Sequence, residues 1–186
     1  MSRQPTWDMA CSLQAEMFET VAKTGGLDVQ LIYFRGFGEC RASKWVSDAK
    51  SLAGLMTGLQ VMGGRTQIGK ILSHARAETR KRKVNAVVFV GDALEEDVDR
   101  LAHKAGELGL LGCPLFLFQE GHDPMVEKGF KEFARLSKGA YARFDANAAS
   151  QLAELLKAVA AYATGGRDAL ALQGSAPARQ LLEQLK

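Results

Sequence analysis

Two apolar runs constrain the fold more than any other feature of this chain. "VNAVVFVGD" (residues 84–92) and "CPLFLFQ" (residues 113–119) are almost continuous in branched, aliphatic and aromatic side chains. Such runs suit strands covered on both faces, as in a parallel sheet. A helical period follows each. Leu94, Val98, Leu101, Ala105 and Leu108 mark one face after the first run. Val126, Phe130, Phe133 and Ala134 mark another after the second. Strands that alternate with amphipathic helices predict an α/β domain. The expected architecture is a doubly wound, Rossmann-like, mostly parallel sheet with helices on both faces.

The rest of the chain extends that pattern. Trp7, Ala10, Leu13, Met17 and Val21 share a helical face over residues 5–23, with Pro5 suited to the first turn and Gly25 and Gly26 as a stop. "LDVQLIYF" (27–34) reads as a strand, and "CRASKWV" (40–46) as an antiparallel edge strand after the "RGFGE" turn. Residues 47–59 form a short helix with Ser47 and Asp48 as capping candidates. Ile68, Ile71, Leu72 and Ala75 begin a further helix that ends in "RKRK". "AYARF" (140–144) alternates like a strand, and Leu152, Leu155, Leu156, Val159 and Tyr162 give a long closing helix. Beyond residue 164 Gly, Ala, Ser and Pro become frequent. The expected organisation is one domain over residues 1–165 and a C-terminal tail over 166–186, where "ARQLLEQLK" can form a short helix.

With 47% apolar and 24% charged residues, the chain of 186 residues matches an ordinary globular domain. A net charge of +3 is too small to imply a nucleic-acid partner. No apolar run approaches the ~20 residues that cross a bilayer, and the first residues lack the apolar centre of a signal peptide, so a cytoplasmic location is expected. Cys11, Cys40 and Cys113 fit neither a zinc pattern nor a disulfide framework. His74, His103 and His122 share no ligand spacing, and no G-x-S-x-G elbow is present. No enzyme chemistry is therefore expected.

Residues 64–70 spell G-x-x-x-x-G-K, the skeleton of a phosphate-cradling loop. Two features oppose that reading. Ile71 stands where a magnesium-binding Ser or Thr is needed, and the helical face already starts at Ile68. Nucleotide binding through Gly64, Gly69 and Lys70 stays as the alternative function. Weak nucleic-acid binding through residues 80–83 is a further one, although a solvated helix end explains that run more simply.

"GGRTQIGKIL" is similar to the "GGT" segment that opens a helix in von Willebrand factor A domains, with Arg65 inserted. "VVFVGDALEED" resembles the family's next strand and the aspartate that ends it. "GCPLFLFQEG" resembles its fifth strand, and "FKEFARLSKGAYARFDANAASQLAELLKAV" its closing helix-strand-helix. The resemblance spans about residues 2–163. It implies a metal-ion-dependent adhesion site in the crevice at the carboxyl ends of the strands. Ser2, Thr66 and Asp92 occupy matching positions. Their oxygens are hard ligands for Mg2+ or another divalent cation. Without the resemblance, Thr66 reads equally as a helix N-cap, and Asp92 as a cap for the next helix, with Glu95, Glu96 and Asp97 favouring its dipole. Asp123 and His122 border the same crevice by position.

The family's main metal signature, D-x-S-x-S, ends a central first strand that this chain lacks. The natural protein starting further upstream, a strand supplied by a partner or a swap, and a sheet that closes without it all remain open. The metal site is expected to be incomplete, with weak or absent affinity. Exposed strand edges invite pairing with another chain, so a homodimer is expected. The resemblance implies a non-enzymatic, intracellular protein-interaction module. In that family bacterial members are often paired with AAA-type ATPases.

Overall fold

The computed structural model describes residues 26–35, 38–57, 65–145 and 149–185. The helix expected over residues 5–23, together with Ser2, Gly63 and Gly64, lies outside them. The described strands are β1 (Ile32–Arg35), β2 (Glu39–Ala42), β3 (Val87–Gly91), β4 (Leu115–Glu120) and β5 (Ala140–Phe144). The helices are α1 (Ala49–Thr57), α2 (Ile68–Lys81), α3 (Val98–Leu110), α4 (Pro124–Ser137), α5 (Ala149–Gln173) and α6 (Ala176–Leu182). β3, β4 and β5 form a parallel sheet in that order, and β1 and β2 form a separate antiparallel pair.

Both apolar runs form the strands expected of them. Alternate side chains of β4 serve opposite layers: Phe116 and Phe118 enter one core cluster, Leu115 and Leu117 the other. The first cluster joins the sheet to α1, α5 and α6, and the second joins it to α2, α3 and α4. Phe116 meets Tyr162 edge-on at 5.2 Å in the first layer, and Phe89 meets Phe130 at 5.6 Å in the second. Helices thus cover both faces of the parallel sheet.

Local chemistry sets the helix starts. Asp97 accepts from the Arg100 amide at the start of α3, and Asp123 from the Met125 amide at the start of α4, each at 2.8 Å. Asp48 accepts from the Ser51 amide at the start of α1. Ser47 instead bonds Asp28 at 2.6 Å. β5 begins where Gly139 lies so close to β4 that a Cβ there would sit 1.9 Å from the Leu115 carbonyl oxygen.

β1 is shorter than the expected run of 27–34. The Leu31 amide donates to the Ser43 hydroxyl rather than to a backbone carbonyl, and Val29 forms only an isolated bridge with Val46. At the other end, helical residues continue past the expected boundary through a break at Gly165 and Gly166, where φ reaches +67°. Leu170, Leu181 and Leu185 beyond it are buried in the first cluster.

Candidate functional site

Of the residues expected at the site, Asp92 stands where β3 ends and Thr66 just before α2; Ser2 lies outside the described residues. β3 stops at Gly91, so Asp92 is the first residue past its carboxyl end. The loop from there to Asp97 passes in front of the N-terminus of α2. Thr66 is largely buried there, two residues before the first helical residue.

The two elements are joined by carboxylates. Glu95 accepts from the Thr66 amide at 3.0 Å and from its hydroxyl at 3.5 Å. Glu96 accepts from the Ile68 amide at 2.5 Å and from the Gly69 amide at 3.0 Å. The first amides of a helix lack partners within the helix and carry partial positive charge, so an anion there is stabilised. In most helices a neighbouring side chain supplies that anion or acceptor. The residue preceding α2 is Gln67, which makes no capping bond with its side chain. Glu96, distant in sequence, does so instead. A Cβ on Gly69 would sit 2.9 Å from the Glu96 carboxylate and 3.3 Å from Leu101. Glycine at this position is what lets the carboxylate approach.

This geometry corrects the local reading of four residues. Thr66 does not cap α2; its hydroxyl meets Glu95. Asp92 does not cap α3; Asp97 does. Glu95 and Glu96 serve the start of α2, not the dipole of α3. Glu95 and Glu96 were visible in the sequence, but their partners lie 27–29 positions away in the chain.

The G-x-x-x-x-G-K stretch takes a different role as well. Lys70 lies in the first turn of α2 and donates to the Gly38 carbonyl at 2.7 Å, toward the β1–β2 hairpin. The helix N-terminus, where a phosphate would sit, holds Glu96. In the basic run, Lys81 pairs with Glu78 at 2.8 Å. Arg82 pairs with Asp28 at 2.8 Å and lies over the Trp45 ring at 4.3 Å. Trp45 in turn donates to Glu78 at 3.1 Å. Hydrogen bonds from Lys81, then Trp45, hold the Glu78 carboxyl below the usual range. Bonds from Ser47, then Arg82, do the same for Asp28. Half of residues 80–83 are thus tied into the domain.

Asp123 and His122 follow the carboxyl end of β4, which lies beside that of β3. Asp123 caps α4, and His122 meets Asp145 at 3.1 Å in a polar cleft of about 430 Å3. That cleft also holds Arg143 and the Glu127–Lys131 pair. Among the described residues no three His, Cys, Asp or Glu side chains gather into a metal-holding group. The Thr66 hydroxyl is also engaged by Glu95.

Helices on both faces of a parallel sheet define a doubly wound α/β domain. The chain is similar to a solved structure, von Willebrand factor type A from Catenulispora acidiphila, with a TM-score of 0.66 and 16% identity. The likeness covers 87% of this chain but 39% of the other, so the chain spans well under half of that relative's length. The fold is von Willebrand factor A-like. No family model matches the chain, and no curated protein does.

Proposed function

We propose that this chain is a non-enzymatic, intracellular protein-interaction module that binds its partner at the crevice beyond β3. The observation behind this reading is the carboxylate-braced junction of Thr66–Glu95 and Glu96–α2. It holds two loops at the position where open α/β sheets bind ligands, on a fold of the von Willebrand factor A type. Residues 65–67 and 92–97 form the contact surface. By the resemblance, the partner is an AAA-type ATPase. Among the described residues no helix is long and apolar enough to cross a membrane.

Metal assistance is the weaker part of the proposal. Ser2, Thr66 and Asp92 would offer oxygens to Mg2+, and the ion would have to draw Thr66 away from Glu95. The test is partner capture with Mg2+, with EDTA, and with Asp92→Ala. Capture that depends on Mg2+ and disappears in Asp92→Ala supports the assisted form. Capture unchanged by both treatments removes the metal and leaves the protein contact. The loss of all specific capture to loop-lining residues such as Arg65 is the outcome the module requires.

The nucleotide-binding alternative finds no support at Lys70, which faces the hairpin. A rise in melting temperature with ATP and Mg2+ would restore it.

A further inference from the structure

The last stretch of the chain turns back onto the sheet. Gly174 takes a φ of +63°, which a side chain disfavours. Ser175 then caps α6, its hydroxyl accepting from the Ala178 amide at 3.2 Å. Ala178, Leu181 and Leu185 recur at helical spacing and are buried in the first core cluster. Arg167 donates to the Leu185 carbonyl, which ties the end of the chain to the residues just after the break at Gly166. Gln180 and Gln184, one turn apart, line the polar cleft with Tyr141 and Arg143.

Gln184 stands there in place of a strand. Its side chain accepts from the Tyr141 amide and donates to the Tyr141 carbonyl, each at 2.9 Å. A neighbouring antiparallel strand makes this pair of bonds with one residue. The Gly121 amide donates to the Phe144 carbonyl on the inner side, so Tyr141 and Arg143 turn their backbone groups outward by alternation. Gln151 donates to the Arg143 carbonyl at 3.3 Å. Side chains from α5 and from the end of the chain thus cover the margin of β5, as proteins cover edges that would otherwise pair.

The covered edge is complementary to itself. Two copies of β5 about a two-fold axis run antiparallel. With Ala142 on the axis, Tyr141 stands opposite the second copy's Arg143, and each such pair exchanges both backbone bonds. The side chains agree with this register. A guanidinium meets an aromatic ring, and the small Ala142 meets its own copy. Lys131 lies over the Tyr141 ring at 5.4 Å, but it is paired with Glu127 at 2.5 Å, so a carboxylate accompanies that cation. Placing Arg143 on the axis instead would oppose two guanidinium groups, which is unfavourable.

We propose that the β5 edge is a self-association surface for a second copy of this chain, held closed by residues 174–185 through Gln184. While Gln184 stays on Tyr141 the pairing is blocked. When the end of the chain lifts, the β3–β4–β5 sheets of two copies join into one. A second copy is the occupant because Tyr141 and Arg143 answer each other in both directions, an isologous contact. The surface lies at the margin opposite β3, so it does not rest on the partner proposed for the crevice.

The test uses the full chain. Gln184→Ala removes both bonds, and Gln184→Ala with Leu185→Asp also lifts the chain end from the core. Sedimentation over a range of concentrations reads mass, and amide exchange reads the place. Expected is a species of twice the wild-type mass in both variants, with more of it in the second. Exchange at Tyr141 and Arg143 should slow about tenfold or more as concentration rises. Arg143→Pro deletes an outward-facing N–H and leaves the bonds to β4 in place. On either background it should abolish the heavier species, and in the wild type it should leave the mass unchanged. If the second variant fails to fold by circular dichroism, Gln184→Ala, a change at an exposed residue, carries the test alone. Folded variants that keep the wild-type mass overturn the proposal, as does a doubling that survives Arg143→Pro. Protection of Tyr141 and Arg143 at unchanged mass also overturns it, because the chain has then covered its own edge again. So does a wild type whose mass falls on Arg143→Pro, because its edge is then already paired.

Discussion

The side-chain amide of Gln184 makes the two hydrogen bonds to the Tyr141 backbone that a neighbouring strand would make, each at 2.9 Å. It reaches β5 because Leu181 and Leu185 anchor the end of the chain in the core. The tail is thereby part of the sheet's margin.

Gln184→Ala should leave the amide and carbonyl of the buried Tyr141 without these partners. A buried or half-buried polar group that loses its partner costs about 1–3 kcal/mol. Urea denaturation should show a loss in that range, with increased self-association at high concentration. Unchanged stability would mean that water replaces the amide fully.

Glu96→Ala removes the acceptor for the Ile68 and Gly69 amides. Loss of a helix cap costs about 1 kcal/mol, and loss of the favourable charge adds a fraction more. Glu96→Gln should recover part of the loss by keeping an acceptor oxygen. If both variants melt with the wild type, α2 does not need this carboxylate.

Gly69→Ala gives the opposite result to the one helix propensity implies. Alanine in a helix interior is favoured over glycine by about 1 kcal/mol. Here the new methyl group would meet the Glu96 carboxylate and Leu101. The variant should be less stable than the wild type, and combining it with Glu96→Ala should remove much of that penalty. Thermal melts of the two singles and the double variant measure the coupling.

Gly139→Ala should be severe, because its Cβ would fall 1.9 Å from a β4 carbonyl oxygen. Backbone there must shift, and a loss above about 3 kcal/mol is expected. Soluble expression and the melting temperature report it; a variant with normal stability would contradict the close approach of β5 to β4.

Acid should weaken the hairpin's attachment. Glu78 and Asp28 are held below the usual carboxylate range, by Lys81 and Trp45 and by Ser47 and Arg82 respectively. A carboxyl depressed in the folded state contributes its full stability above its unfolded pKa, about 4. That contribution disappears as pH falls through the lower folded value. Stability should therefore be flat near neutrality and decline below about pH 4, and Glu78→Gln should make the decline shallower. Trp45 fluorescence follows it directly.

Much of this molecule is legible in the sequence. Val87, Phe89, Leu115, Phe116, Leu117 and Phe118 read as doubly covered strands because burial on both faces demands a continuous apolar run. Leu101, Ala105, Leu108, Phe130 and Phe133 read as helix faces because a helix buries one stripe at period 3.6. Asp97 and Asp123 were less legible. Their capping bonds are local, but several acids stood near each helix start and only one of each set has the right geometry.

The sequence by itself determined the strand–helix alternation and the mostly parallel sheet, because these follow from local period and burial. Only the tertiary structure decided what the acids and amides do. Glu96 meets Ile68 across 28 positions, and Gln184 meets Tyr141 across 43. A contact between distant segments leaves no periodic trace in either, so Glu95 and Glu96 looked like the start of α3 until the fold placed them against α2. The orientation of the β3 backbone is the same kind of fact. Val88 and Val90 are ordinary strand residues in sequence, and only the ladder pattern shows that their backbone groups face away from β4.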